Sequence, residues 1–336
     1  MLQVKISEIE KVIYEDIPNP IPKTDEAVIA VKSVGICGSD ISVFKGINPV
    51  LKPPVVQGHE FGGIIKSIND PEKKHNFKIG DKVCIFPLVN CHRCYYCNSN
   101  KAHLCENQKI FDGMLLDGAM KEEISIPLSN LIKLPDNFNI LYSALVEPIS
   151  VGLHATRKIK KSNTLVIGSG TVGLFVQQIL ALNKNTVISM DIDKYSLKKS
   201  EDFGSNLVLN FDGEGNNLKI SNFLAGGKLD YIIDCVGNSN TFEFSRSVLK
   251  KAGKIILIGV PKTILNINMI YLLINELSIE GSYLYSLEEF IESKELMVTD
   301  KIIYKDIISK YFPLNKAIEA YEYKINHPSE KVILTN

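Results

Sequence analysis

The chain has 336 residues, 38 Lys+Arg against 38 Asp+Glu, and a formal net charge of zero. Hydrophobic residues make up 45% and charged residues 23%, a globular composition, and the length suits about two domains of roughly 100–200 residues each. Arginine occurs only at Arg93, Arg157 and Arg246, so the basic excess and guanidinium forks of a nucleic-acid surface are missing.

Met1 to Ile17 carries Lys5, Glu8, Glu10, Lys11, Glu15 and Asp16, which excludes the apolar stretch of a signal peptide. Up to about residue 145 the pattern is β-rich. Apolar runs at Ala27–Val34, Phe61–Ile68, Lys82–Phe86 and Glu123–Ile126 are separated by turn signals such as Pro53-Pro54 and Gly80-Asp81. From about Val151 the rhythm changes. Strand candidates Thr164–Ile167, Thr186–Met190, Asn206–Leu209, Leu229–Cys235 and Lys254–Val260 alternate with helical stretches such as Val172–Leu182 and Thr241–Lys250. That alternation predicts a parallel sheet with helices on both faces. Leu277–Tyr283 is a sixth strand candidate, and the rest, from Leu287, reads as mixed. Pro313-Leu314-Asn315 opens a helix over Lys316–Tyr323, and Lys331–Thr335 is a closing strand. The most apolar segment, Ile264–Leu277, is broken by Asn266, Asn268 and Asn275. It falls short of the ~20 apolar residues that span a bilayer. A soluble, cytoplasmic protein without membrane or nucleic-acid partners is expected.

Of seven cysteines, four crowd together. Cys91, Cys94, Cys97 and Cys105 give the spacing C-x₂-C-x₂-C-x₇-C, which lets thiolates converge on one tetrahedral ion. Four thiolates make a closed zinc centre, so a structural role is expected, fixing a loop with few apolar residues. Disulfides or free thiols, and a nucleic-acid-binding zinc ribbon, are the competing readings; the reducing compartment and the charge balance count against them. His92 and His103 read as surface residues, and Tyr95 and Tyr96 as shields of this metal. Cys84 and Cys235 read as buried small residues. His75 and His327 read as solvated, and His154 as packed.

Gly168-Ser169-Gly170-Thr171-Val172-Gly173 fits G-x-G-x-x-G between a strand and an apolar helix, with Asp191 ending the next strand. Gly168 allows a tight turn, Gly170 lets the backbone approach a pyrophosphate, and Gly173 lets helix and strand pack closely. The helix start at Thr171 and Val172 then offers free N–H groups to phosphates. An acid at 191 can accept both ribose hydroxyls and repels a 2′-phosphate, which favours NAD.

Three further segments remain: Gly35-Ile36-Cys37-Gly38-Ser39-Asp40, Gly58-His59-Glu60, and Glu147-Pro148-Ile149-Ser150-Val151-Gly152-Leu153-His154. Each alone is ambiguous. Together, and in this order with the four-cysteine lobe and the glycine motif, they resemble the medium-chain, zinc-dependent alcohol and polyol dehydrogenases. The likeness runs nearly the whole chain and is nearest to the sorbitol, galactitol-1-phosphate and butanediol dehydrogenases. The resemblance implies an α/β fold: a GroES-like β-rich catalytic domain over 1–148 with a C-terminal return at 282–336, and a Rossmann NAD-binding domain over 149–281. It implies two zinc ions per subunit, one catalytic and one structural. Cys37 and His59 would ligate the catalytic zinc, Glu60 would be a third ligand or its exchange partner, and Glu147 a ligand or water-holding neighbour. Charge counting favours one direct carboxylate. Ser39 would relay the substrate proton, and Asp40 would orient His59. The loops at Val236 and Gly259-Val260 would line the nicotinamide, and the assembly would be a homodimer or homotetramer with an edge near 277–283. An open zinc site brings a hydroxyl's pKa to about 7, so hydride transfer from a secondary alcohol, a polyol or polyol phosphate, to NAD is the expected reaction. Two departures stand out. Ser42 replaces the histidine that many relatives carry three positions after the serine, and Leu284 replaces a sorbitol-type arginine. Phe44, Ile47, Phe111 and Leu284 are candidate pocket liners. A catalytically silent NAD- and zinc-binding sensor, and a zinc-free quinone reductase, are the alternatives.

Overall fold

The computed structural model describes residues 1–261, 264 and 267–336; residues 265 and 266 of the apolar segment Ile264–Leu277 therefore lie outside the described residues. The chain divides into two compact units, 1–150 with 286–336, and 151–285.

The first unit begins with an antiparallel hairpin, β1 (Leu2–Glu8) and β2 (Lys11–Asp16). Its organising strand is β3 (Glu26–Ile36), whose sequence EAVIAVKSVGI is buried along most of its length. An apolar run of this kind suits a strand paired on both edges. On one edge it pairs with β4 (Glu60–Asn69). A short helix, α1 (Gly38–Phe44), follows β3, and the Asp40 carboxylate accepts from the Cys37 amide at 2.8 Å to close its first turn. β5 (Lys82–Ile85) extends the sheet beyond β4. The four-cysteine lobe comprises the two-residue pair β6 (Leu88–Val89) and β7 (Lys109–Ile110) and the single turn α2 (Tyr95–Asn98). β8 (Glu123–Pro127) pairs with the first half of β3, and β9 (Leu131–Lys133) with β5. Helix α3 (Val146–Thr156) follows.

The second unit is a six-stranded parallel sheet. In chain order it comprises β10 (Asn163–Ile167), α4 (Thr171–Leu182), β11 (Thr186–Asp191), α5 (Lys194–Asp202), β12 (Leu207–Asn210) and α6 (Asn216–Phe223). It continues with β13 (Leu229–Asp234), α7 (Ser239–Val248), β14 (Leu249–Leu257), α8 (Met269–Asn275) and β15 (Ser278–Gly281). The strand order β12-β11-β10-β13-β14-β15 reverses direction between β10 and β13, the place where such sheets bind dinucleotides. Two expected boundaries shift. The helix expected over Thr241–Lys250 ends at Val248, and the strand expected over Lys254–Val260 runs from Leu249 to Leu257. β14 is irregular within this span: Ala252 takes a positive φ of 58°, and the pairing with β13 shifts register between Leu229 and Tyr231.

The chain then completes the first unit with α9 (Leu287–Val298), β16 (Ile308–Pro313), α10 (Ala317–Asn326) and β17 (Lys331–Thr335). Ser286 and Glu289 form a reciprocal cap that starts α9. β17 pairs antiparallel with Val34–Ile36 of β3 and parallel with β16. Among the described residues no helix is long and apolar enough to cross a membrane.

Candidate active site and metal centres

In the lobe, the sulfur atoms of Cys91, Cys94, Cys97 and Cys105 all lie within 4.8 Å of one another. Cys91 Sγ and Cys97 Sγ are 4.0 Å apart, and the Cys91 amide donates to Cys105 Sγ at 3.3 Å. None of the four forms a disulfide. The Arg93 amide lowers the Cys91 thiol to about 6, with help from the Cys94 amide, while desolvation pushes Cys97 up to about 12. One divalent ion would relieve that conflict, and four thiolates at this spacing fit zinc. His92 is exposed, but His103 is half-buried, unlike the surface position expected. Tyr95 is 73% exposed, and its ring meets Tyr96 edge-on at 5.4 Å. His75 is also half-buried, beside Phe77 at 6.3 Å, rather than solvated. Cys84 is fully buried, His154 is buried and His327 is exposed; Cys235 is half-buried.

A second cluster joins Cys37, His59 and Glu60, whose donor atoms lie within 4.8 Å of one another. Cys37 ends β3 and caps α1, while His59 and Glu60 start β4 on the neighbouring strand, where Glu60 stands opposite Gly35. A Cβ on Gly35 would sit 2.0 Å from Glu60 Oε2, so any side chain there would displace the Glu60 carboxylate. His59 Nδ1 is buried without a hydrogen bond and lies 3.9 Å from Asp40 Oδ1. Burial pulls the His59 imidazole down, but the Cys37 sulfur and the Asp40 carboxylate outweigh it and hold it well above its ordinary value. Burial lifts the Asp40 carboxyl to about 6, against His59 and the Cys37 amide. A thiol, an imidazole and a carboxylate at this separation suit one zinc ion with a fourth position left over. Glu147 is buried in the first turn of α3 and acts electrostatically on His59, yet it is not one of the three converging groups.

Several neighbours escape a reading of motifs. Lys331, at the start of β17, donates to Glu60 Oε2, and both side chains are 2% exposed. Lys324 is buried behind it and donates to the Pro328 and Glu330 carbonyls; burial and the charge of Lys331 bring it down to about 8. The Tyr321 hydroxyl donates to Gln57 Oε1 at 2.5 Å, and Gln57 Nε2 donates to the Asp40 carbonyl at 3.3 Å. A lone lysine opening a terminal strand, or a tyrosine on a helix, carries no local signal of such a role.

Phe44 and Phe111 are core residues rather than pocket liners: Phe44 packs on Tyr321 at 5.0 Å and Phe111 on Phe61 at 6.4 Å. Ile47 is about half exposed, and Leu284 belongs to the second unit with a φ of 54°. Ser39 is half-buried. The Ser42 hydroxyl turns back to donate to the Ser39 carbonyl at 2.7 Å and accepts from Asn48 Nδ2 at 3.1 Å.

In the second unit, Gly168 has a φ of 92°, and a Cβ on Gly173 would lie 1.8 Å from the Gly168 carbonyl oxygen. At Gly170 a Cβ would meet nothing within 4 Å, so the backbone there is open to a ligand. Thr171 and Val172 start α4. Asp191 accepts from the Ser169 amide at 2.6 Å and from the Asp193 amide at 2.9 Å. Asp234, which no motif flagged, accepts from the Val236 and Gly237 amides, both at 2.9 Å, and from the Thr241 hydroxyl at 2.7 Å. It shapes the loop in which Val236 is exposed; Gly259 packs against that loop, its would-be Cβ 2.5 Å from Val236. Val260 is exposed beside it.

Comparison with known proteins agrees with this geometry. Residues 23–136 match the alcohol dehydrogenase GroES-like domain, and residues 171–299 match the zinc-binding dehydrogenase family. An uncharacterised zinc-type alcohol dehydrogenase-like protein of Haemophilus influenzae is 31% identical over 303 residues, covering 89% of this chain and 87% of that protein. Sorbitol dehydrogenase of Arabidopsis thaliana is 28% identical over 295 residues, covering 84% of this chain and 80% of the relative. A crystal structure of a zinc-binding dehydrogenase from Sinorhizobium meliloti, bound to NADP, superposes with a TM-score of 0.91 at 24% identity, over 100% of this chain and 99% of the other.

Proposed function

Because the chain belongs to the zinc-dependent medium-chain alcohol and polyol dehydrogenase family, we propose that it oxidises a CH–OH group of a polyol to a carbonyl and reduces NAD. The observation that carries this is the convergence of Cys37, His59 and Glu60 on one point. Zinc held there would supply Lewis acidity that lowers an alcohol's pKa toward about 7, and NAD would supply the hydride acceptor. The chain's own residues do the rest. Cys37 and His59 hold the ion, and Glu60 is the third donor. Glu147 holds a water or exchanges with Glu60. Asp40 faces His59 Nδ1 across 3.9 Å and favours its charged or metal-bound form electrostatically. Ser39 accepts the hydroxyl proton; because the Ser42 hydroxyl is committed to the Ser39 carbonyl, the proton leaves by water or a cofactor hydroxyl.

Asp191 supports NAD over NADP, because its carboxylate would face a 2′-phosphate with its own charge. Gly168, Gly170, Thr171, Val172 and Gly173 carry the pyrophosphate, and Val236, Gly259 and Val260 flank the nicotinamide. A second zinc at the four-cysteine lobe is structural. The compartment would be the reducing cytoplasm, which keeps four clustered thiols available. For assembly, the edge strand β15 and the exposed Met269, Ile270, Leu273 and Ile274 of α8 suit a second copy of the chain in a homodimer or homotetramer.

The test is an NADH-production screen over C4–C6 polyols, their phosphates, butanediols and threonine, with zinc measured in the same sample. Turnover with two zinc ions per chain is expected. A fully zinc-loaded protein that reduces no NAD or NADP with any of these alcohols would instead be a silent binder.

A further inference from the structure

Asp112 is an acid that the mechanism above leaves unused. It follows β7 in a turn stitched to the segment leading into His59. The Gly118, Ala119 and Met120 amides donate to the carbonyls of Val56, Gly58 and Gln57 at 2.7, 2.9 and 3.0 Å. A Cβ on Gly113 would lie 2.9 Å from the Val56 carbonyl oxygen, so the turn presses directly on that segment. The preceding Phe111 meets the ring of Phe61, next to Glu60. Both chain neighbours of Asp112 thus touch residues that flank the trio, Gly113 against Val56 and Phe111 against Phe61.

Its side chain is held in place. Oδ1 accepts from the Met114 amide at 2.9 Å. Burial lifts the carboxyl above its ordinary range, while the Met114 amide and His59 pull it down. No Lys or Arg among the described residues pairs with it, and Lys121 of the same loop is taken by Asp117 at 3.0 Å. Cations that could hold an anion near the trio are scarce. Lys331 is committed to Glu60, and the only arginine of this unit is Arg93, exposed in the four-cysteine lobe. Phosphate and carboxylate recognition normally rests on such guanidinium groups.

Resting on the dehydrogenase reading of the trio, we propose that Asp112 is a specificity-determining residue that admits uncharged, hydroxyl-rich alcohols and rejects those bearing a phosphate or carboxylate. A carboxylate accepts strong hydrogen bonds from substrate hydroxyls. It repels an anion a few ångström away by an amount that one unit charge, partly screened, makes about tenfold in affinity.

The experiment compares sorbitol with sorbitol 6-phosphate and gluconate on zinc-loaded protein, by turnover with NAD and, separately, by calorimetric binding in the presence of NADH. The wild type should favour sorbitol in both. Asp112→Asn keeps an Oδ1 acceptor for the Met114 amide and should shrink the neutral-to-anionic ratio about tenfold, mainly by improving the anions; Asp112→Glu should keep the ratio. Should the asparagine variant fail to fold, Asp112→Ser carries the same test. A wild type that prefers the anionic substrates, or a ratio unmoved by removing the charge, overturns the inference while leaving the dehydrogenase intact. Absence of all turnover sinks the dehydrogenase reading instead, and the binding ratio then decides the role of Asp112 alone: relaxation in the asparagine variant upholds it, and no change or no binding overturns it.

Discussion

The Glu60–Lys331 pair is the residue-scale feature with the largest energetic leverage. Both side chains are 2% exposed, so removing the lysine strands a buried carboxylate. Breaking such a pair typically costs about 3–5 kcal/mol. Lys331→Met should therefore destabilise the zinc-free protein by about that amount. A zinc ion near Glu60 would take over as its counter-charge, so the loss should shrink in the zinc-loaded protein. Urea melts with and without zinc measure this; an equal loss in both would mean Glu60 does not reach the ion. Asp191 allows a second residue-level prediction. It holds the Ser169 amide and, on the proposed reading, would meet the ribose with its charge, so Asp191→Ala should weaken NAD and relax the preference for NAD over NADP about tenfold or more. The ratio of kcat/KM for the two cofactors checks it, and an unchanged ratio would assign ribose reading to another side chain. Cys37, His59 and Glu60 were legible in the sequence because the short motifs that carry them, ambiguous singly, occur together in a telling order. Lys331 was not, since nothing in a linear pattern brings it to Glu60. Phe44 and Phe111 misled for a related reason: an aromatic side chain beside a site has the same sequence signature whether it faces a ligand or the core.

At the scale of elements, the glycine turn between β10 and α4 sets the tightest constraint. Alanine is the better helix former by about 1 kcal/mol, so propensity alone would make Gly173→Ala stabilising. The contact at 1.8 Å with the Gly168 carbonyl oxygen reverses that expectation, because backbone must move to admit a methyl group. A net destabilisation of about 1–3 kcal/mol is expected, read by chemical denaturation of the cofactor-free protein; a stabilised variant would mean that the turn is loose. The alternation of strands and helices in the second unit was legible because parallel strands are buried on both faces and read as continuous apolar runs. The hairpin β1–β2 and strand β16 were not singled out. Their charged residues, such as Lys5, Glu15 and Lys310, mask the alternation.

At the scale of the whole molecule, two clusters of potential metal ligands differ in character. The four-cysteine cluster leaves no open position, so its ion should act on folding rather than chemistry. Cys94→Ser should lower the melting temperature and the zinc content by about one ion per chain, with a smaller effect on the activity of protein that has already assembled. Normal melting with full zinc would remove the structural assignment. Both clusters of side chains were legible, the lobe from spacing alone and the trio only from the ordered combination of its motifs.

Glu60 and Lys331 are 271 residues apart in the chain, and the whole second unit is encoded between them. A ribosome that has made β3, β4 and β5 has produced a sheet with an uncompensated acid, and must translate the entire second unit before the neutralising strand emerges. The first unit is thus the last to be finished although it is the first to be made, and in that interval the β3 edge awaiting β17 is open to pairing with a neighbouring chain.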